Sequence, residues 1–306
     1  FIKKFKKSDR LYLTWYGGEP LLAIDVIEKI LDRLSSETQI EICHHFLITN
    51  GSLISRKAID LFRKYKLNAI QITLDGDEKR HNRMRAFNNS EKGSYNVILR
   101  NIDILLSNFD ETKISIRVNL DRKNADDFNQ IRSGLLQRWN NDQRIEVYPG
   151  ILRIEDKNNK CMGCESLLHE DIRELFYSLN DKVNFYPHLR KKGCSATHVN
   201  SYLIGPRGEM YKCWNELGDY SKIIGYIHDK SFTNDGLFNK YILSSNCFES
   251  DECKECFYLP ICMGGCAFYR LKNTFDEGHF DICSLYKGEG VLQKCLELHL
   301  ENKKSK

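Results

Sequence analysis

The sequence predicts an α/β fold built on a parallel sheet, open or curled into a barrel, followed by a small cysteine-rich domain organised by metal. Three observations carry this expectation. Strand-like and helix-like segments alternate through the first half of the chain. Glycine, asparagine and aspartate signals stand at the ends of the strand segments. Eight of the twelve cysteines fall between Cys194 and Cys283.

Each element follows from its pattern. Leu11–Tyr16 reads as a strand and Leu21–Leu34 as a helix, with Ile24, Ile27, Leu31 and Leu34 on one face at three-to-four spacing. A strand near Phe46–Thr49 precedes a helix near Arg56–Tyr65. A strand near Ala69–Leu74 precedes a helix near Tyr95–Leu106. A strand near Ile114–Asn119 precedes a helix near Ala125–Trp139, and a fifth strand falls near Ile145–Ile151. Repeated βα units require parallel pairing. Gly17-Gly18-Glu19-Pro20, Thr49-Asn50-Gly51, Asp75-Gly76 and Asn119 close the first four strands. Ligand sites in parallel sheets lie at these C-terminal strand ends. Taken singly, such residues are also ordinary turn formers; four in register point to a shared site.

The bulk numbers narrow the class. The chain has 306 residues, enough for one large domain or a large and a small one. Its 46 basic and 42 acidic residues give a net charge of +4, too balanced to argue for nucleic acid or a membrane surface. No apolar run approaches the roughly 20 residues of a membrane-spanning helix. Without a signal-peptide pattern, twelve cysteines point to a reducing, cytoplasmic setting and to metal ligation. The start, FIKKFKKSDR, has no Met and reads as internal, so a fragment is expected.

Around residues 152–168 the chain turns polar, and from about Val183 its periodicity weakens. The expected division is 1–185 for the α/β body and 186–306 for the cysteine-rich domain. Tyr202–Trp214 reads as a hairpin turning at Pro206-Arg207-Gly208-Glu209, and Val291–Leu300 as a closing helix before a frayed tail. The cysteine array runs Cys253-x2-Cys256-x5-Cys262-x3-Cys266, with Cys283 after sixteen further residues and Cys194 and Cys213 upstream. Thiolates select iron–sulfur clusters or zinc. Seven of them nearly saturate two [4Fe–4S] clusters. A zinc-stabilised structural module with C-x2-C pairs is the alternative, although the x5 and x3 steps are less typical of it.

The string C-x13-G-x4-C, then C-x2-C-x5-C-x3-C, then C resembles the SPASM domain of radical-SAM peptide and protein maturases, the family that includes anaerobic sulfatase maturases. WYGGEPLL resembles the family's GGEP motif, ITLDGDEKRHNRMR its strand ending with a spaced His81 and Arg85, and ISIRVNLDRKN its strand carrying an Arg and an Asn. The resemblance runs from about Leu11 to Cys283. It implies a partial (β/α)6 radical-SAM barrel, its first βα unit missing, followed by a small α+β SPASM domain. It implies S-adenosylmethionine as cofactor, with Gly17, Gly18, Glu19, Asn50, Asp75, Arg117 and Asn119 near it; a guanidinium such as Arg117 suits a carboxylate. It implies two auxiliary [4Fe–4S] clusters, the first on Cys194, Cys213 and Cys266, the second on Cys253, Cys256, Cys262 and Cys283.

Relatives carry a C-x3-C-x2-C loop upstream of GGEP for the cluster that cleaves the cofactor. No such triplet occurs here, so it is expected before Phe1, and the chain as given is expected to be inactive without it. The implied activity is modification of a peptide or protein by hydrogen abstraction, with flavodoxin or ferredoxin as electron donor. A catalytically inactive homologue that binds a peptide or partner is the alternative. Trp214 stands where sulfatase-maturing relatives have Asp, which points toward another modification such as a thioether or carbon–carbon crosslink. No catalytic residue is singled out. Of the remaining candidates, Cys161-Met162-Gly163-Cys164 is a second C-x2-C. Cys43-His44-His45 reads as core, and Cys247 and Cys295 as small apolar fillers.

Overall fold

The computed structural model describes residues 9–37, 39–85, 93–152, 165, 167–178, 187–191, 193–229 and 231–304. Two compact units emerge, Ser8–Leu179 and Asn180–Lys306.

The first unit is a five-stranded parallel sheet: β1 (Arg10–Trp15), β2 (Glu41–Thr49), β3 (Ala69–Leu74), β4 (Lys113–Leu120) and β5 (Ile145–Ile151). Its spatial order is the chain order, β1-β2-β3-β4-β5, and every pair is parallel. A doubly wound sheet reverses its order at a switch point. A singly wound one keeps sequential units adjacent, as barrels do. The helices α1 (Ile24–Glu37), α2 (Arg56–Lys64), α3 (Glu78–Met84), α4 (Tyr95–Asn108), α5 (Phe128–Arg138) and α6 (His169–Ser178) intervene or follow.

Strand alternation divides the sheet into two chemistries. Ile70, Ile72 and Leu74 of β3 and Ile114, Ile116, Val118 and Leu120 of β4 are buried. With Leu31, Ile59, Phe62, Ile98, Ile102 and Phe128 from the helices they make the core. Because side chains alternate along a strand, Gln71 and Thr73 of β3 and Ser115, Arg117 and Asn119 of β4 lie half-buried on the other face. The register sets Thr73 beside Arg117, Arg117 beside Tyr148, and Asn119 beside Gly150.

Boundaries differ from the pattern where local chemistry intervenes. Leu21 belongs to a 3₁₀ turn, Pro20–Ala23, and α1 starts at Ile24. β2 begins at Glu41 and so takes in Cys43-His44-His45. Only His45 of these three is buried. Trp15 Nε1 donates to its Nε2 at 2.7 Å, and its Nδ1 lies 2.9 Å from the Tyr65 carbonyl, which fixes the proton on Nδ1. Burial lowers the pKa of this ring.

In the second unit β6 (Leu203–Ile204), β7 (Glu209–Tyr211) and β8 (Gly225–Tyr226) form an antiparallel sheet. The hairpin turns through Gly208 at φ +85, and Gly205 N–H donates to the Glu209 carbonyl at 2.8 Å. Short helices α7 (Asp235–Asn239), α8 (Asp251–Lys254) and α9 (Leu259–Cys262) lead into α10 (Ala267–Phe275), and α11 (Val291–Lys304) closes the chain. The described helix α11 extends past Leu300 into the segment expected to fray. No helix among the described residues is long and apolar enough to cross a membrane.

Candidate functional site at the strand ends and in the cysteine unit

Glu19 ties together the ends of the first two strands. Its Oε1 accepts from Leu21 N at 3.0 Å and from Thr49 Oγ1 at 2.7 Å; its Oε2 accepts from Asn50 N at 2.8 Å. Hydrogen bonds to a carboxylate are about twice as strong as neutral ones, so the loop 17–20 is held by charge. Beside it, nothing stands within 4 Å of where a Cβ would project from Gly17 or Gly18, and Gly17 has φ +145. Two backbone units thus face open space, as a ligand needs. Asn50 spends its Oδ1 on Ser52 N and Ser52 Oγ, at 2.8 and 2.7 Å, and shapes the turn.

Asp75 organises the third and fourth strand ends. Its Oδ1 accepts from Asn119 Nδ2 at 2.7 Å, and its Oδ2 pairs with Arg85 Nε. Its own N–H donates to His81 Nδ1 at 3.1 Å. His81 Nε2 therefore carries the proton and meets Ser94 Oγ at 2.9 Å, which in turn donates to the Arg85 carbonyl at 2.8 Å. His81 is fully buried, and that burial is the first cause of a pKa lowered to about 4. The ring is neutral at pH 7.

On β4, on the side of Asp75's bracket that faces β5, lie two polar atoms with no partner. Arg117 Nε and Asn119 Oδ1 are both buried and unbonded. An orphaned donor beside an orphaned acceptor is costly unless a ligand engages them. Gly150 makes the space: a Cβ there would stand 2.2 Å from Arg117 Nε and 2.9 Å from Asn119 Oδ1. Sequence reasoning did not single out Gly150. The available signal was a glycine inside a strand, which marks close approach by another group. Thr49, the last residue of the second strand, holds Glu19 through its hydroxyl, a role the strand pattern does not reveal. Of the seven expected positions, Gly17, Gly18 and Glu19 share one rim with Asn50, while Asp75, Arg117 and Asn119 share another. Asn50 Oδ1 is engaged within its own turn.

The cysteine unit shows two gatherings. Cys213 follows β7 and is buried with Ala196, Tyr241, Ala267, Phe268 and Leu271; Cys266 packs against this group. Burial pushes the Cys213 thiol up to about 12, and Cys266 and Cys194 oppose its ionisation further. Lys212 is buried alongside, donating to the carbonyls of His198 and Ser201 at 2.6 and 2.7 Å.

The second gathering has two halves. Cys253 Sγ and the Gly264 carbonyl both accept from Arg270 Nη2, at 3.0 and 2.8 Å, while Cys283 Sγ lies 3.6 Å from Lys287 Nζ. The spacer Met263-Gly264-Gly265 is left-handed throughout, at φ +53, +81 and +73. A Cβ on Gly265 would fall 2.0 Å from the Ile282 carbonyl, and one on Gly264 would fall 2.3 Å from Cys247 Cβ. The two glycines let the turn carrying Cys262 and Cys266 press against the segment before Cys283. Cys247 is thus a packing residue of this turn. Among the described residues no three His, Cys, Asp or Glu side chains converge on a single ion. A cluster distributes its thiolates over several irons, so its ligands need not meet at one point. Cys161 and Cys164 lie outside the described residues.

A singly wound α/β body with a polar site at its strand ends and a cysteine-gathering unit define the class of protein. Residues 1–133 match the model of the Radical SAM superfamily. It is 24% identical over 305 residues to a radical SAM cyclopropyl synthase of Paramaledivibacter caminithermalis, covering 94% of this chain and 61% of that one. It is 28% identical over 299 residues to a cysteine-type anaerobic sulfatase-maturating enzyme of Clostridium novyi, covering 90% and 78%. The chain therefore spans less than two thirds of the cyclopropyl synthase. Among solved structures, the fold matches anSMEcpe with bound AdoMet and Kp18Cys peptide at TM-score 0.69 and 16% identity, over 99% of this chain and 88% of that one. It matches Streptococcus suis SuiB bound to S-adenosylmethionine at TM-score 0.57 and 17% identity, over 90% and 66%.

Proposed function

We propose that this protein is a radical S-adenosylmethionine enzyme that modifies a peptide or protein, with two auxiliary [4Fe–4S] clusters. The observation that carries the reading is the buried, unpartnered pair Arg117 Nε and Asn119 Oδ1, together with the open Gly17-Gly18 backbone at the end of the first strand. An amino acid-bearing cofactor has the complementary groups: a carboxylate for the guanidinium, and N–H or hydroxyl donors for the amide oxygen. S-adenosylmethionine with a reducing iron–sulfur cluster supplies hydrogen abstraction when bound.

The residues of this chain do the rest. Glu19 holds the glycine loop in place, and Asp75 holds Asn119 with its acceptor free. Gly150 keeps the two strands' polar groups unobstructed. In the second unit Cys194, Cys213 and Cys266 are assigned to the first auxiliary cluster, and Cys253, Cys256, Cys262 and Cys283 to the second. The fit rests on the packing of Cys266 against the group that holds Cys213 and on the glycine turn that brings Gly265 against the Ile282 carbonyl. The sulfatase-maturating relative and the structural neighbour solved with a bound peptide support a peptide or protein substrate. A small electron-transfer protein such as flavodoxin or ferredoxin would supply reducing equivalents.

The test is equilibrium binding of S-adenosylmethionine to the anaerobically reconstituted protein, with iron and sulfide counted on the same sample. The expected result is saturable binding, lost in Gly150→Val and weakened at least about tenfold in Arg117→Met, roughly 1.4 kcal/mol. About eight irons with matching sulfide are expected on the auxiliary sites. Binding unchanged in both variants would remove the strand-end site, and bound zinc without sulfide would remove the cluster assignment.

A further inference from the structure

Arg270 lies in α10 and is 7% exposed. Its Nη2 donates to the Gly264 carbonyl at 2.8 Å and to Cys253 Sγ at 3.0 Å. Among the described residues no carboxylate pairs with it. A buried guanidinium without a compensating anion is costly, and a neutral thiol is only a weak acceptor. A thiolate bound to iron would supply the missing charge.

We propose that Arg270 is a positioning residue of the second auxiliary cluster, fixing the Cys253 sulfur and raising that cluster's reduction potential. The inference rests on the ligand assignment given above for Cys253, Cys256, Cys262 and Cys283. Reduction adds one electron to the cluster and no proton to the protein, so the reduced form carries more negative charge. A fixed cation on a ligand sulfur stabilises that form more than the oxidised one. Hydrogen bonds to the sulfurs, net charge and solvent exposure are the levers by which a protein sets such potentials. Burial strengthens the effect, because the interaction is not diluted by water. Lys287 offers an internal contrast: its Nζ stands 3.6 Å from Cys283 Sγ on the exposed surface, where water and salt screen it.

The Gly264 contact explains why an arginine suits this position. One nitrogen reaches both the sulfur and the carbonyl of the left-handed turn, so the cation is tied to the loop whose shape sets the cluster ligands. A lysine could keep the charge but not the planar fork.

The experiment is a reductive titration with dithionite of the anaerobically reconstituted full chain, followed by electron paramagnetic resonance. The signal that disappears in Cys256→Ala identifies the second cluster. Arg270→Gln is expected to keep the iron content and make that cluster at least tenfold harder to reduce, 59 mV more negative for a one-electron couple. Arg270→Lys is expected to shift it less, and Lys287→Gln less than Arg270→Gln. An unchanged midpoint in both Arg270 variants would overturn the proposal. So would loss of the second cluster from both, which would leave Arg270 a purely architectural role. Absence of any second-cluster signal from the unsubstituted protein would instead overturn the ligand assignment on which the proposal rests.

Discussion

Asn119 donates from Nδ2 to Oδ1 of Asp75 at 2.7 Å, and this single bond decides which way the amide faces. An ionised carboxylate only accepts, so the nitrogen must point toward Asp75. The amide oxygen is left buried and unbonded. One bracket residue thereby converts its neighbour into an acceptor aimed away from it.

Asn119→Asp is expected to place two carboxylates against each other and to remove the donor. S-adenosylmethionine binding should weaken at least about tenfold, roughly 1.4 kcal/mol. The conservative Asn119→Ser should lose less. Equilibrium dialysis of the reconstituted variants checks both.

Glu19→Gln removes the charge that receives Leu21 N, Thr49 Oγ1 and Asn50 N. Losing charged hydrogen bonds in a half-buried site is expected to cost about 1.5–3 kcal/mol. A shift of the urea midpoint at constant slope would record it. An unchanged midpoint would mean that the loop 17–20 is held by something other than this carboxylate.

His81 gives the stability a pH dependence of known sign. Folded, the ring resists protonation down to about pH 4; unfolded, it titrates near 6.5. Between those values the unfolded chain binds the extra proton, so stability rises with pH there and is lost as pH falls through the window. The full contribution is about 3 kcal/mol. The groups facing the ring are Asp75, which favours protonation, and Arg85, which opposes it; Tyr95 packs against it edge-on. His81→Gln should flatten the stability profile between pH 4 and 6.5, measured by urea unfolding at each pH.

Gly265→Ala is expected to break one gathering of cysteines and spare the other. The added methyl would meet a backbone carbonyl at 2.0 Å, at a residue with φ +73. The carbonyl belongs to Ile282, which precedes Cys283, so the 283 side must move. About half the iron should be lost, with the first cluster's signal retained. Iron analysis beside the spectrum reads this directly.

Much of this was legible before any coordinates. The strands β3, β4 and β5 and the helices α1, α2 and α4 announce themselves because each buries a regular stripe, and β1 does so by alternating exposed and half-buried residues. Helix α3 does not: its sequence EKRHNRM buries His81 alone, so no apolar period marks it. Helix α6 carries Ile172 and Leu175 at three-residue spacing, but it follows a polar stretch that masked the pattern. Strand β8 has two residues and no period to read. In the site, the residue types were legible and their partners were not. Nothing in the string GGEP tells that Thr49 and Asn50, thirty residues on, anchor its glutamate. Cys247, read as an apolar filler, is buried, but its particular fit against Gly264 is visible only in three dimensions.

The order β1-β2-β3-β4-β5 also has a meaning in time. Each strand pairs with the one made just before it, so the sheet can grow in step with synthesis, one crossover at a time. The cysteine unit is wired the opposite way. Cys194 and Cys213 wait for Cys266, and the turn at Gly265 waits for Ile282. A nascent chain halted between these points would hold the five strands and a set of thiols whose partners are not yet made. The thiols of the second unit can therefore gather only after all five strands of the first have been made.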